Sequence, residues 1–205
     1  MISALIFDFG NVFINLDVSG AMKNALEHFK ISSLSDDIIG ANNSYEKGLI
    51  TTSDFLDFYH KKFHNLSNNN LIGIWNFMLL DFPVHRLKFI KDLKAHCNYR
   101  LILLSNTNEL HIKWIQDHVS FYEEFKACFD GFYLSHEIGL SKPSKEIYKF
   151  VLSQHKLKPE ECFFIDDSKD NVMAAAALGI KTWHINPDED DVSDLFKVYP
   201  KLAKL

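Results

Sequence analysis

Cysteine, glycine and proline are scarce in this chain, at 3, 8 and 5 of 205 residues. Cys97, Cys128 and Cys162 are widely spaced and stand next to apolar residues. That spacing argues against a disulfide framework or a zinc site and marks them as buried thiols. There is no low-complexity tract, no internal repeat and no linker beyond the Ser67–Asn70 turn. Basic charge is not concentrated anywhere, and the formal net charge is −5. The phosphate backbone of a nucleic acid requires clustered Lys and Arg, so a nucleic-acid partner is excluded. A small phosphorylated molecule is compatible, because local donors and a metal ion override a modest overall negative charge. Long apolar runs are also missing, as is a basic N-terminal region followed by an apolar stretch and a small-residue cleavage site. No membrane span or leader is expected, and the cytoplasm is the expected compartment.

What is present is a strongly hydrophobic chain, 47% by composition, enough for one full core and a small accessory unit. Short apolar runs at Ala4–Phe7, Leu101–Leu104, Phe129–Leu134, Cys162–Ile165 and Thr182–Ile185 read as buried strands. Helical patterns at His85–His96, Ser144–Gln154 and Asn171–Leu178 separate the later ones. This alternation predicts an α/β fold, a doubly wound and mainly parallel Rossmann-like sheet. Residues 18–81 depart from it. Candidate helices near Ser19–Phe29, Ser35–Asn42, Ser53–Phe63 and Asn69–Leu79, several opened by Ser or Asn caps, contain no persuasive strand between them. They read as a helical insert after the first strand, leaving residues 1–17 and 82–205 as the core unit. Phe55, Phe58, Tyr59, Phe63, Trp75 and Phe77 at helical spacing read as the packing of that insert.

Chemistry gathers where the strands end. Asp8 closes the first apolar run and is followed by Phe9–Gly10–Asn11–Val12, so a carboxylate lies at the carboxyl edge of the sheet, where open α/β sheets bind ligands. Gly10 is read as allowing a sharp turn and a close backbone approach to whatever Asp8 holds. Leu101–Leu104 runs into Ser105–Asn106–Thr107–Asn108, whose hydroxyl and backbone N–H groups suit an anion or a helix cap. Lys142–Pro143 lies in a loop before a helix, and a lysine held beside Asp8 would compensate negative charge on carboxylate and substrate. Phe163–Ile165 ends in Asp166–Asp167, with Ser168, Asp170 and Asn171 following. Two adjacent carboxylates repel, and a hard divalent cation such as Mg²⁺ relieves that repulsion while keeping several waters.

In order and spacing these four segments resemble the motifs of the haloacid dehalogenase superfamily of hydrolases, over essentially the whole chain. Phe7–Val12 is similar to the first motif, Leu104–Thr107 to the second, Lys142–Pro143 to the third, and Phe164–Asp167 with Asn171 to the fourth. The insert is similar in position to the family's C1 cap. The D-x-G-N-V and S-N-T-N segments resemble bacterial sugar-phosphate phosphatases of the glucose-1-phosphate phosphatase type. The resemblance implies a Mg²⁺-dependent phosphomonoesterase acting on a small phosphorylated metabolite, plausibly a sugar phosphate, through an aspartyl-phosphate intermediate. Asp8 would be the nucleophile, and Ser105 and Asn106 would hold phosphoryl oxygens. Lys142 would bind substrate and steady developing charge. Asp8, the Gly10 carbonyl, Asp166 and Asp167 would hold the metal, Asp166 directly or through water.

The chain departs from the family pattern at Gly10, where many family phosphatases carry a second Asp that acts as general acid and base. Such a group is typically worth about 10²–10⁴-fold. Asn11 cannot replace it, and Tyr45, Glu46, Lys47 or a histidine of the insert are the candidates that can. Two alternatives follow from the same departure: a metal-free 2-haloacid dehalogenase, against which the Asp166–Asp167 pair speaks, and a low-activity member that binds a phosphorylated ligand or partner without turnover. The segment Tyr45–Glu46–Lys47–Gly48 joins polar groups to a flexible glycine and is expected to govern substrate choice.

Overall fold

The computed structural model describes residues 1–203. Five strands, β1 (Ala4–Phe7), β2 (Arg100–Ser105), β3 (Gly131–Leu134), β4 (Cys162–Asp166) and β5 (Lys181–His184), form one sheet in the order β3-β2-β1-β4-β5. Every pairing is parallel, with Phe7 opposite Leu103 on one side and Ile165 on the other. β1 is therefore central and wholly buried, which is why its four residues are all apolar.

Alternation along the strands sends side chains to two separate cores. Leu5, Phe7, Leu101, Leu103, Phe163 and Ile165 face one way, onto α5 (Val84–His96), α6 (Glu109–His118) and α7 (Tyr122–Lys126). Ala4, Ile6, Ile102, Leu104, Cys162 and Phe164 face the other, onto α9 (Lys145–His155) and α10 (Lys169–Ala176). Helices on both faces of a parallel sheet make the fold a doubly wound α/β sheet of Rossmann type. Among the described residues no helix is long and apolar enough to cross a membrane.

Between β1 and α5 lie α1 (Val18–Phe29), α2 (Asp36–Glu46), α3 (Thr52–Lys62) and α4 (Asn68–Asn76). Thr51 with Asp54 and Ser67 with Asn70 form capping boxes that start α3 and α4. Phe29, Ile38, Tyr45, Phe55, Tyr59, Leu71 and Ile74 are buried together in a third core, distinct from those of the sheet. The aromatic residues expected to pack the insert do so, apart from Phe77, which is 47% exposed just past the end of α4. The chain leaves and re-enters the sheet unit through a short antiparallel ladder. Asn15 N–H donates to Asp81 O (2.9 Å), Leu80 N–H to Asn15 O (3.0 Å) and Asp17 N–H to Met78 O (2.9 Å), with Leu16 opposite Leu79.

Two helices, α6 and α7, were not anticipated from the sequence pattern. The expected strand at Phe129–Leu134 begins at Gly131, because Phe129 packs into the phenylalanine cluster instead. Of the three thiols, Cys128 and Cys162 are buried, Cys97 is half-buried, and none is paired.

Candidate active site

Asp8, the residue after β1, is 8% exposed and caps its own turn by accepting from Phe9 N–H (2.7 Å). Phe9 and Phe13 hold that turn down, stacking on and edge-packing against Phe125 at centroid distances of 5.3 and 4.9 Å. Asp166, the last residue of the neighbouring β4, is wholly buried. Its Oδ1 accepts from Ser168 N–H (2.8 Å), and the Asn171 amide donates to Oδ1 and Oδ2 at 2.9 and 3.1 Å. Asn171 is fixed in turn by Tyr148, whose hydroxyl donates to its carbonyl (2.9 Å).

Lys142 lies in a loop before a helix, as its sequence context implied, but that loop does not continue directly from a strand. β3 is followed by the short helix α8 (Ser135–Ile138) and a loop, and Lys142 reaches back from that loop. Its buried Nζ stands 2.8 Å from Asp8 Oδ1 and 2.7 Å from Asp166 Oδ2. Its backbone is clamped from β2: Lys142 N–H donates to Asn106 Oδ1 and Asn106 Nδ2 donates to Lys142 O, both at 2.9 Å. The Asn106 amide is thus committed to the lysine loop, which leaves its backbone N–H as the group it can offer an anion. Thr107 N–H, expected as an anion donor, is spent on Ser135 Oγ (2.9 Å). Ser105 is buried at the end of β2.

Asp8, Asp166 and Asp167 bring one carboxylate oxygen each to within 4.8 Å of one another. Three carboxylates against one ammonium leave this pocket short of two positive charges. Burial pushes Asp8 up; Lys142 opposes the rise while Asp166 and Asp167 add to it, and Asp8 ends at about 7. Asp167 is also raised, by burial first, against the pull of its hydrogen bond from Asn11. Burial would lower Lys142, yet Asp166 and Asp8 outweigh it and keep the ammonium charged. An oxygen-only donor set carrying this excess charge, with Asp8 and Asp166 buried and Asp167 half-buried, fits a hard divalent cation.

The turn after Asp8 corrects the reading of Gly10. The left-handed residue is Asn11, at φ 54°, and Gly10 is not in that region. A Cβ at Gly10 would come within 2.6 Å of Leu16 Cδ1, so the half-buried leucine side chain would have to turn aside. Its carbonyl accepts none of the hydrogen bonds that close the turn, which run from Phe13, Ile14 and Asn11 to Phe9 and Ile14.

The insert meets this edge at α8. Ser135 Oγ, besides accepting from Thr107, donates to Glu46 O (2.5 Å), and Gly48, at φ 64°, lies so close that a Cβ would fall 2.0 Å from His136 O. α2 runs to Glu46, so Tyr45 is not in a loop. It is buried, stacked on Phe55 at 4.2 Å, and its hydroxyl accepts from Leu110 N–H. The Glu46 side chain makes no hydrogen bond to the described residues, and burial raises its carboxyl. Farther along, Asn108 Oδ1 accepts from both Trp75 Nε1 and His111 N–H (3.1 Å each), which turns its Nδ2 toward His111 Nδ1. His111 then donates from Nε2 to Trp75 O (3.1 Å) and is a neutral imidazole, lowered by burial to about 4. Asn108 was named only within the Ser105–Asn108 run that suits an anion or a helix cap, a capping role it fills for α6, and His111, Tyr148 and Ser135 were not singled out. An Asn-x-x-His pair opening a helix was the signal available for Asn108 and His111.

A family model described as haloacid dehalogenase-like hydrolase matches residues 2–179. The chain belongs to this family. Among curated members it is 26% identical over 195 residues to the D-ribitol-5-phosphate phosphatase of Bacteroides thetaiotaomicron, covering 89% of this chain and 91% of that one. A haloacid dehalogenase family enzyme from Bacteroides thetaiotaomicron, solved as a magnesium complex, superposes with a TM-score of 0.84 at 34% identity, over 96% of this chain and 98% of that one. The same enzyme with magnesium and inorganic phosphate gives a TM-score of 0.81 at 34% identity, over 96% and 100%. As a haloacid dehalogenase-like hydrolase, the chain is an enzyme, and Asp8, Lys142, Asp166 and Asp167 meet at the carboxyl edge of its sheet.

Proposed function

We propose that this hydrolase is a Mg²⁺-dependent phosphomonoesterase for a small phosphorylated metabolite, a sugar phosphate or the phosphate of a related polyol. The observation that carries this reading is the pairing of a buried, charged Lys142 with a cluster of three carboxylates. The curated D-ribitol-5-phosphate phosphatase and the magnesium–phosphate complex of the structural relative support it.

Asp8 attacks phosphorus through one carboxylate oxygen as the ester oxygen departs, and water then cleaves the acyl phosphate to return Asp8 and inorganic phosphate. Lys142 pulls the Asp8 carboxyl down against the effect of burial, favouring its ionised form, and stands where charge develops on the transferring oxygens. Ser105 Oγ and the Asn106 N–H hold phosphoryl oxygens, and the Asn106 amide keeps Lys142 in register. Asp8, Asp166, Asp167 and the Gly10 carbonyl would hold the cation. When bound it offsets the excess negative charge and polarises the phosphoryl group. With Gly10 unable to move a proton, the leaving oxygen takes its proton from a group outside that turn. Residues 18–81 act as the cap, and residues 1–17 and 82–205 as the catalytic core.

The deciding assay is phosphate release from p-nitrophenyl phosphate, D-ribitol 5-phosphate and a panel of hexose and pentose phosphates, with Mg²⁺ and with excess chelator. Turnover with Mg²⁺ and its loss in chelator are expected. Halide release from a 2-haloacid in chelator, or binding of phosphate esters with no turnover at all, would overturn the proposal.

A further inference from the structure

Asn11 does two things with one amide. Its Nδ2 donates to Asp167 Oδ2 at 2.8 Å, and its Oδ1 accepts from Leu16 N–H at 3.0 Å. Asp167 is one of the three clustered carboxylates. Leu16 lies opposite Leu79 in the ladder through which the helical insert leaves and rejoins the sheet. Because a primary amide is rigid and planar, the two bonds cannot be adjusted independently.

The backbone supports the same arrangement. Asn11 sits at φ 54°, a left-handed conformation that asparagine tolerates better than other residues with a side chain. That conformation folds the amide back over the turn, while Asn11 N–H donates to Ile14 O (2.7 Å) to close it. Gly10 leaves room for the Leu16 side chain against the same turn, where a Cβ would crowd it at 2.6 Å. Sequence position alone does not explain a residue strained in φ with both ends of its side chain engaged.

We infer that Asn11 is a positioning residue that couples cation binding at Asp167 to the ordering of the connection between sheet unit and insert. The inference rests on the reading that Asp8, Asp166 and Asp167 hold a divalent cation. A cation held by the Asp167 carboxylate would fix that side chain and hence the amide that bonds it, and the fixed amide would hold Leu16. By linkage the effect is reciprocal: an ordered connection presents Asp167 in the geometry the cation needs. Neighbours that orient a metal-bound group typically change metal affinity about 10–100-fold when removed.

The test uses Mg²⁺ itself and needs no turnover. Metal-stripped native protein and Asn11→Gly, which keeps the left-handed backbone and deletes the amide, are titrated with Mg²⁺ by calorimetry. Amide hydrogen exchange is followed with and without Mg²⁺. In the native protein Mg²⁺ is expected to slow exchange at Leu16, Asp17 and Leu80. In Asn11→Gly, Mg²⁺ binds at least about tenfold more weakly and no longer protects those amides, while exchange in β2 is unchanged. If the glycine variant does not fold, Asn11→Asp serves: it keeps the acceptor for Leu16 N–H but has no donor for Asp167, so Mg²⁺ is expected no longer to slow exchange at Leu16, Asp17 and Leu80. Native-like affinity and native-like Mg²⁺-induced protection in the variant that folds would overturn the coupling. Absence of Mg²⁺ uptake by the native protein would instead overturn the functional reading and remove the basis of this inference.

Discussion

Lys142 Nζ lies 2.7 Å from Asp166 Oδ2, and both side chains are completely shielded from solvent. A pair this deeply buried contributes little net stability when intact, but removing one partner leaves the other charge stranded. Lys142→Met is therefore expected to lower stability by about 3–5 kcal/mol and kcat by roughly 10²–10³-fold. Denaturant titration and steady-state kinetics check the two effects. Lys142→Arg is not expected to rescue, because the planar guanidinium cannot occupy the point between Asp8 and Asp166 that a compact ammonium fills.

Asp8→Asn should abolish turnover, since a neutral amide does not attack phosphorus. The same variant isolates an acid–base effect. The folded Asp8 carboxyl is pushed up to about 7 from its ordinary 3.8, so between these values the folded protein holds a proton that the unfolded chain has released. Stability of the metal-free native protein should thus fall as pH rises from about 4 to about 7, and that part of the slope should vanish in Asp8→Asn. Thermal melts in chelator across this range, with mass measurement to exclude deamidation, are the check.

His111 has the opposite sign. Its folded value of about 4 lies below the ordinary 6.5, so the unfolded chain binds the proton first as pH falls. Its contribution is intact above about 6.5 and is lost toward pH 4, up to roughly 3 kcal/mol. Comparing melts of native protein and His111→Gln from pH 7 to pH 4 should show a steeper acid loss in the native protein.

Gly10→Asp does not restore an acid by itself. The new Cβ would lie 2.6 Å from Leu16 Cδ1, the far end of a flexible, half-buried side chain that must turn aside, at a cost of about 0.5–1.5 kcal/mol. The single variant should be slower and less stable than native. Gly10→Asp with Leu16→Ala should recover stability over the single variant and exceed it in kcat. A rise in kcat for Gly10→Asp alone, at unchanged melting temperature, would show that the turn yields freely.

Substrate choice is expected to follow Glu46 and Lys47, because Tyr45 and Gly48 of the same segment are occupied in docking the insert. Replacing both with Ala should change the ratio of kcat/KM between D-ribitol 5-phosphate and a hexose phosphate by about tenfold or more, the discrimination that loss of a hydrogen bond to a substrate hydroxyl supplies. p-Nitrophenyl phosphate, which has no such hydroxyls, should be little affected. An unchanged ratio would assign recognition elsewhere.

The strands and their terminal acids were legible because Ala4–Phe7 and Phe163–Ile165 are unbroken apolar runs, a pattern that buried parallel strands demand. Helix α6 was not, because Leu110, Ile112 and Trp114 alternate as a strand's residues would; its true signals are the Asn108 cap and the Ile112–Ile115 pair. Lys142 was identified by type, but its route was not, since α8 is too short to leave a period in sequence. The role of Asn11 was invisible for a different reason: a left-handed φ and a two-ended amide bond over 156 positions are properties of assembled geometry.

The ladder of Asn15–Asp17 with Met78–Asp81 has one more consequence. Because the chain departs and returns side by side, the sheet unit is blind to the length of what lies between. Loop-closure entropy grows only as the logarithm of that length, about 0.6 kcal/mol per doubling. Helices can be lengthened, shortened or exchanged beyond that ladder while β1 and β2 keep their register. The arrangement lets the insert be rebuilt by insertion and deletion while Asp8, Asp166 and Asp167 stay where they are.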